Sequence, residues 1–160
     1  MGKTVGEHMG VVTALVRSSF LVDAVYARSS RAFGLTQQQG QLLCVLMARP
    51  YCMRELGQVL GLAKSSLTGL VDRSAQRGLV RRAQTPEDGR MVRVELTPEG
   101  ARLAEEFYAE TCRRVEALAS GLDDTGRATL ADLLGRLVEE NEVPEVFLPW
   151  EEEASASPDR

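Results

Sequence analysis

Histidine is all but missing from this chain: a single copy, His8, lies in the opening stretch MGKTVGEHMG. One histidine cannot build a histidine-rich metal centre or a His-activated nucleophile, and no glycine loop of the phosphate-cradling kind is present. Enzyme chemistry of those classes lacks its parts, and neither a metal nor a cofactor is expected. Cysteine is scarce as well. Cys44, Cys52 and Cys112 are odd in number and have no CxxC spacing, so reduced thiols are expected. Two of them fall inside apolar runs, where cysteine behaves as a small core residue. No apolar run approaches the ~18 to 20 residues needed to cross a bilayer, which argues against a membrane partner. The first ten residues lack the apolar core of a secretory signal, and His8-Met9 resembles a cloning junction. Residues 1–10 are therefore set aside as a tag or disordered start, and a cytoplasmic location is expected.

What is present is an ordinary globular composition of 160 residues, 44% apolar and 26% charged, enough for one domain with a real core. The net charge of −4 hides a strong asymmetry. Residues 49–93 hold nine Lys/Arg against four Asp/Glu, whereas residues 95–160 hold six against seventeen. A basic middle in an acidic chain is the candidate contact face for a polyanion.

Residues 11–32 read as a helix, with Val12, Leu15, Val16, Ser19, Val22 and Tyr26 recurring at three-to-four spacing. Thr36 and Gln39 have the spacing of a capping box, opening a second helix whose body (Leu42, Leu43, Val45, Leu46, Met47) is apolar nearly all round and which Pro50 stops. In residues 53–78, one short stripe (Leu56, Val59, Leu60) ends at Gly61 and another (Leu67, Leu70, Val71) ends at Gly78. That is a helix-turn-helix pattern. LVRRAQ (79–84) and MVRVEL (91–96) are β-prone runs around TPEDGR, and Val92, Val94 and Leu96 alternate with Arg93 and Glu95. A helix-turn-helix followed by a hairpin is a winged helix, and the hairpin carries Arg81, Arg82, Arg90 and Arg93.

Thr97-Pro98-Glu99 combines an N-cap, a proline suited to the first helical position and an acid suited to the positive helix end. A long helix is expected from there to about Ser120, with Leu103, Phe107, Val115 and Leu118 on its apolar side. Asp123 or Asp124 caps a last helix striped by Leu130, Leu133, Leu134, Leu137 and Val138. The expected class is mainly α (α+β): a winged helix-turn-helix with a two-stranded wing over 49–97. It is flanked by helical regions, 11–48 and 98–141, whose apolar stripes exceed what a small winged helix can cover. Such stripes mark a partner, most simply a second copy in a symmetric homodimer. Residues 142–160 form an acidic, Pro/Glu-rich tail. Its end is expected to be disordered, while Val146, Phe147, Leu148 and Trp150 are apolar enough to dock on the body or a partner.

At Asp88-Gly89-Arg90, then Val92-Arg93-Val94-Glu95-Leu96-Thr97 and Gly100, the chain resembles the multiple-antibiotic-resistance regulator (MarR) family, whose wing pattern is D-x-R, a strand and L-T-x-x-G. The likeness extends through Leu56, Leu60-Gly61-Leu62, Thr68, Leu70-Val71-Asp72-Arg73 and Arg77-Gly78-Leu79-Val80, and covers roughly residues 10–141. It implies a dimeric, cytoplasmic, DNA-binding transcriptional regulator, often released from its double-stranded operator by a small molecule or by oxidation. The resemblance further implies that Arg90 enters the minor groove, held by Asp88. The helix from Lys64 would lie in the major groove, with Lys64, Ser65, Ser66 and Thr68 near bases or phosphates and Arg73 on a phosphate. Gln37 and Arg54 are weaker phosphate candidates.

Two departures stand out. Ala63 occupies a position where relatives commonly place a Ser or Asp cap, and Gly69 sits mid-helix, where glycine costs ~1 kcal/mol against alanine. For an effector site, Arg17, Tyr26, Met47, Tyr108 and Cys112 are the candidate lining residues, although a Met or Tyr on a helix stripe is more often core. Relatives that sense peroxide through an early first-helix cysteine are not matched, because no cysteine precedes Cys44. Two rival expectations are a thiol switch at one of the three cysteines and a winged helix that binds an acidic protein partner.

Overall fold

In a computed structural model, which describes residues 9–85, 87 and 89–143, six helices and three short strands follow one another along the chain. They are α1 (Val11–Ala32), α2 (Gln37–Ala48), β1 (Tyr51–Cys52), α3 (Met53–Leu60), α4 (Lys64–Gln76), β2 (Val80–Gln84), β3 (Val92–Leu96), α5 (Pro98–Leu118) and α6 (Asp124–Glu139). The strands form one antiparallel sheet in the order β1-β3-β2, with Tyr51 and Arg82 both opposite Val94. The expected two-stranded wing is thus joined by a third strand. At two residues, β1 is too short to leave an alternation in the sequence.

The punctuation residues act as anticipated. At the start of α2, the Gln39 N–H donates to Thr36 Oγ1 at 3.1 Å and the Thr36 N–H donates to Gln39 Oε1 at 3.0 Å, a complete capping box. Asp123 accepts the Gly126 N–H at 2.8 Å and starts α6. Helices α3 and α4 stop where Gly61 and Gly78 turn left-handed, at φ 62° and 73°.

The Thr97–Gly100 spacing has a three-dimensional reason. Thr97 caps α5 by accepting the Gly100 N–H at 3.0 Å, while its own N–H donates to Leu79 O at 3.1 Å and its hydroxyl donates to Gly78 O. The first turn of α5 is thereby held against the α4–β2 turn so tightly that a Cβ on Gly100 would lie 1.8 Å from Leu79 O. Only glycine fits this contact.

The core is centred on α2, whose Leu42, Leu43, Cys44, Val45 and Leu46 are all buried. Leu56, Leu67, Leu70, Val71, Leu79, Val80 and Val94 close it from the winged-helix side, and Phe107 and Ala104 from α5. Phe107 meets the edge of Phe33 at 5.9 Å and lies where a Cβ on Gly40 would come within 2.5 Å of its ring. Burial fails at the two chain-end helices. On α1 only Val25, Ser29 and Ser30 are buried, leaving Val12 72% and Phe20 68% exposed; α6 buries no residue, and Leu133 is 57% exposed. Among the described residues no helix is long and apolar enough to cross a membrane. The apolar tail residues Val146, Phe147, Leu148 and Trp150, and the end expected to be disordered, lie outside the described residues.

Candidate nucleic-acid interface

Helix α4 turns Leu67, Leu70, Val71 and Ser74 inward. The opposite face therefore carries Ser65, Gly69, Asp72 and Gln76 at three-to-four spacing, with Arg73 alongside. Lys64, Ser65 and Ser66 stand exposed in its first turn. Ala63 supplies no side-chain cap, so the free N–H groups of this helix start remain available to an anion. The Thr68 hydroxyl donates to Lys64 O at 2.9 Å, which commits its proton within the helix.

A hollow of about 740 Å³ lies between α3, α4 and β2, with Met53, Gly57, Leu62 and Leu67 as its apolar lining and Arg54, Lys64 and Arg82 as its cations. Three residues named from the sequence, Arg54, Lys64 and Thr68, are brought together there. Arg82 joins them, which sequence reasoning counted as wing charge but did not assign to the site. Its guanidinium donates to Asp72 Oδ1 at 2.7 Å, tying the wing to α4. Asp72 pairs across ten positions with Arg82 and not with its neighbour Arg73. Arg73 makes no ion pair among the described residues, and its Nη1 would lie 3.0 Å from a Cβ on Gly69.

On the wing, Arg81 pairs with Glu95 at 2.7 Å and Arg90 is exposed just before β3. Asp88 lies outside the described residues. Gln37 is the first residue of α2 and half-buried, away from the hollow. Arg77, which follows α4, donates to Gly34 O at 2.8 Å and to Gln39 Oε1 at 3.1 Å. Helix α4 is thus anchored at its C-terminal end to the α1–α2 turn, a link no local pattern reveals.

Helix α3 is oriented by Glu55, whose carboxylate accepts the Cys52 N–H at 2.9 Å and an Arg49 guanidinium N–H at 3.2 Å. The Cys52 N–H first and Arg49 second hold the Glu55 carboxyl at about 2, well below the usual carboxylate range. Arg49 also stacks over the Tyr51 ring at 3.8 Å.

A second cavity of about 200 Å³ lies between α1, α2 and α3, lined by Val22, Asp23, Tyr26, Gln41, Cys44, Val45, Val59 and Leu60. Of the five expected effector-site residues, Tyr26 lines it. Arg17 is exposed on α1, whereas Met47, Tyr108 and Cys112 are half-buried elsewhere on α2 and α5. Burial, then the neighbouring Cys44 and Cys112, pushes the Tyr26 phenol above its usual value, so it stays protonated. Burial, with Cys112 nearby, pushes the Cys44 thiol up to about 12.

This arrangement can be set beside known proteins. A family model described as "MarR family" matches residues 33–91, from the end of α1 to the wing. The crystal structure of wild-type apo MarR from E. coli matches with a TM-score of 0.74 and 26% identity, over 83% of this chain and 99% of that one. Residues 33–91 thus match the MarR family model, and the chain has the fold of MarR. PecS of Dickeya dadantii (strain 3937), an HTH-type transcriptional regulator, is 29% identical over 135 residues, 82% of this chain and 81% of that one. The crystal structure of NadR in complex with 4-hydroxyphenylacetate matches with a TM-score of 0.64 and 26% identity, over 85% of this chain and 97% of that one. These likenesses support a transcriptional regulator that binds DNA through this winged helix.

Proposed function

We propose that the protein is a cytoplasmic, homodimeric repressor that occupies a pseudo-palindromic operator and is released by a small-molecule effector. The observation that carries this reading is the joined cationic surface of α3, α4 and the wing, where Arg54, Lys64 and Arg82 share one hollow beside the outward face of α4. Lys64, Ser65, Ser66 and Thr68 enter the major groove, Arg73 lies beside them, and Arg90 extends to the minor groove. Asp88 steadies Arg90 at the wing tip, while Arg54 and Gln37 contact phosphates. A second copy covers the exposed apolar faces of α1 and α6, which makes residues 11–48 and 98–141 the dimerisation region. A dimer seated on a promoter excludes polymerase, hence repression. The effector enters the cavity at Tyr26, where Asp23 and Gln41 offer polar groups against Val22, Val45 and Leu60. A thiol switch at Cys44 is less well supported, because a thiol held at about 12 is scarcely a thiolate at neutral pH.

The test is a titration against DNA from immediately upstream of the protein's own gene, with a scrambled duplex as control, at two salt concentrations. Tight binding to the first duplex alone, weakening steeply with salt, is expected. Equal, weak binding to both duplexes, with no sequence enriched from random DNA, would replace the reading with a winged helix that binds protein.

A further inference from the structure

Gly69 lies at the centre of the α4 face turned away from the core, between Ser65 one turn before it and Arg73 one turn after it. A residue on that face should be open to solvent, yet Gly69 is only half-exposed. Arg73 covers it: a Cβ at Gly69 would stand 3.0 Å from Arg73 Nη1 and 3.9 Å from its Cζ. Helical side chains lean toward the N-terminus, so Arg73 lies back along the groove left by the missing side chain. Asp72, the adjacent carboxylate, is engaged by Arg82 at 2.7 Å, and Arg73 has no ion pair among the described residues. Its guanidinium is therefore uncommitted. It is also displaced one turn toward Lys64, Ser65 and Ser66, the end of the helix that enters a major groove.

We propose that Arg73 reads a guanine in each operator half-site, and that Gly69 is the specificity-determining residue because it gives that guanidinium its path. This rests on the DNA-binding reading above and departs from the phosphate contact that the family resemblance assigns to Arg73. A guanidinium fork matches guanine O6 and N7 together, which a phosphate clamp does not require and a lysine ammonium cannot reproduce.

The experiment has two stages. Wild-type protein first selects its preferred duplex from random DNA. Wild type, Gly69→Ala, Arg73→Lys and Arg73→Ala are then titrated against that duplex and against one with the symmetric G·C pair of each half-site changed to A·T. Wild type should enrich the G·C pair and prefer it at least about fivefold. Gly69→Ala and Arg73→Lys should erase most of that preference. Melting temperature should not fall for Gly69→Ala, and the salt dependence of Arg73→Lys should stay near that of wild type. An unchanged preference in either variant overturns the proposal. So does uniform weakening of Arg73→Ala on both duplexes with a shallower salt dependence, the signature of a phosphate contact. If wild type enriches no sequence, the DNA-binding reading itself falls and takes this one with it, an outcome distinct from failure in the variants alone.

Discussion

The winged helix and the two chain-end helices are built from similar amounts of leucine and valine, yet they end in opposite states. Around α3, α4 and the sheet, Leu56, Leu67, Leu70, Val71, Leu79, Val80 and Val94 are all buried, and the surface above them is cationic. Along α1 and α6, Val12, Phe20, Leu133 and Leu134 remain exposed. One region is finished within a single chain, and the other leaves an apolar face that the proposed second copy would cover. At ~25 cal/mol per Å², leaving such a face in water costs far more than a surface charge contributes, which is the cost the proposed dimer would remove.

The comparison breaks most sharply at Gly100. Gly100→Ala forces a methyl group into Leu79 O and should detach the start of α5 from the α4–β2 turn, costing ~3–5 kcal/mol in a denaturant titration. A loss under 1 kcal/mol would mean that the contact yields without cost. Next in size, Leu133→Glu puts a charge on the α6 face. It should leave the circular dichroism spectrum intact, turn a dimer into a monomer by sedimentation, and weaken operator binding by ~10²-fold through lost bivalency. A variant that sediments as wild type would move the assembly surface elsewhere.

Most of the local frame was readable in advance because it depends on neighbours in the chain. The Thr36–Gln39 box, the Thr97 and Asp123 caps and the stops at Gly61 and Gly78 each act within a few residues. The links that set the reading head's shape span the chain: Asp72 to Arg82, Arg77 to Gly34 and Gln39, and β1 to β3. No periodicity signals them. The stripe on α1 was read correctly as apolar, but whether it faces a core or a partner depends on packing, and the structure turns its first half outward. Of the residues proposed for an effector site, Tyr26 and Met47 share helix stripes of the same kind, yet of these two only Tyr26 lines the cavity between α1, α2 and α3.

Two smaller effects sharpen the picture of the reading head. Arg90→Ala should weaken operator binding by ~1–3 kcal/mol without altering the melting temperature or the dimer, as checked by titration and sedimentation. Unchanged affinity would remove the wing tip from recognition. Glu55→Gln should cost ~1 kcal/mol at neutral pH by weakening the α3 cap. The Glu55 carboxyl titrates lower in the folded chain than in the unfolded one. Its contribution is therefore complete above the ordinary carboxylate range and fades as pH falls toward about 2. Wild type and variant should accordingly converge in acid, and a constant gap across that range would show that the cap does not depend on the charge.

The most direct measurement of the division between reading head and assembly surface is a hydroxyl-radical footprint of the protein on its selected operator. Two protected patches, symmetric and centred about one helical turn (~10 bp) apart on one face of the duplex, are expected from two copies joined through α1 and α6, each placing one α4 in the groove. A single protected patch at saturation would contradict that division, because it would mean that one chain reads DNA alone while its apolar helices serve something else.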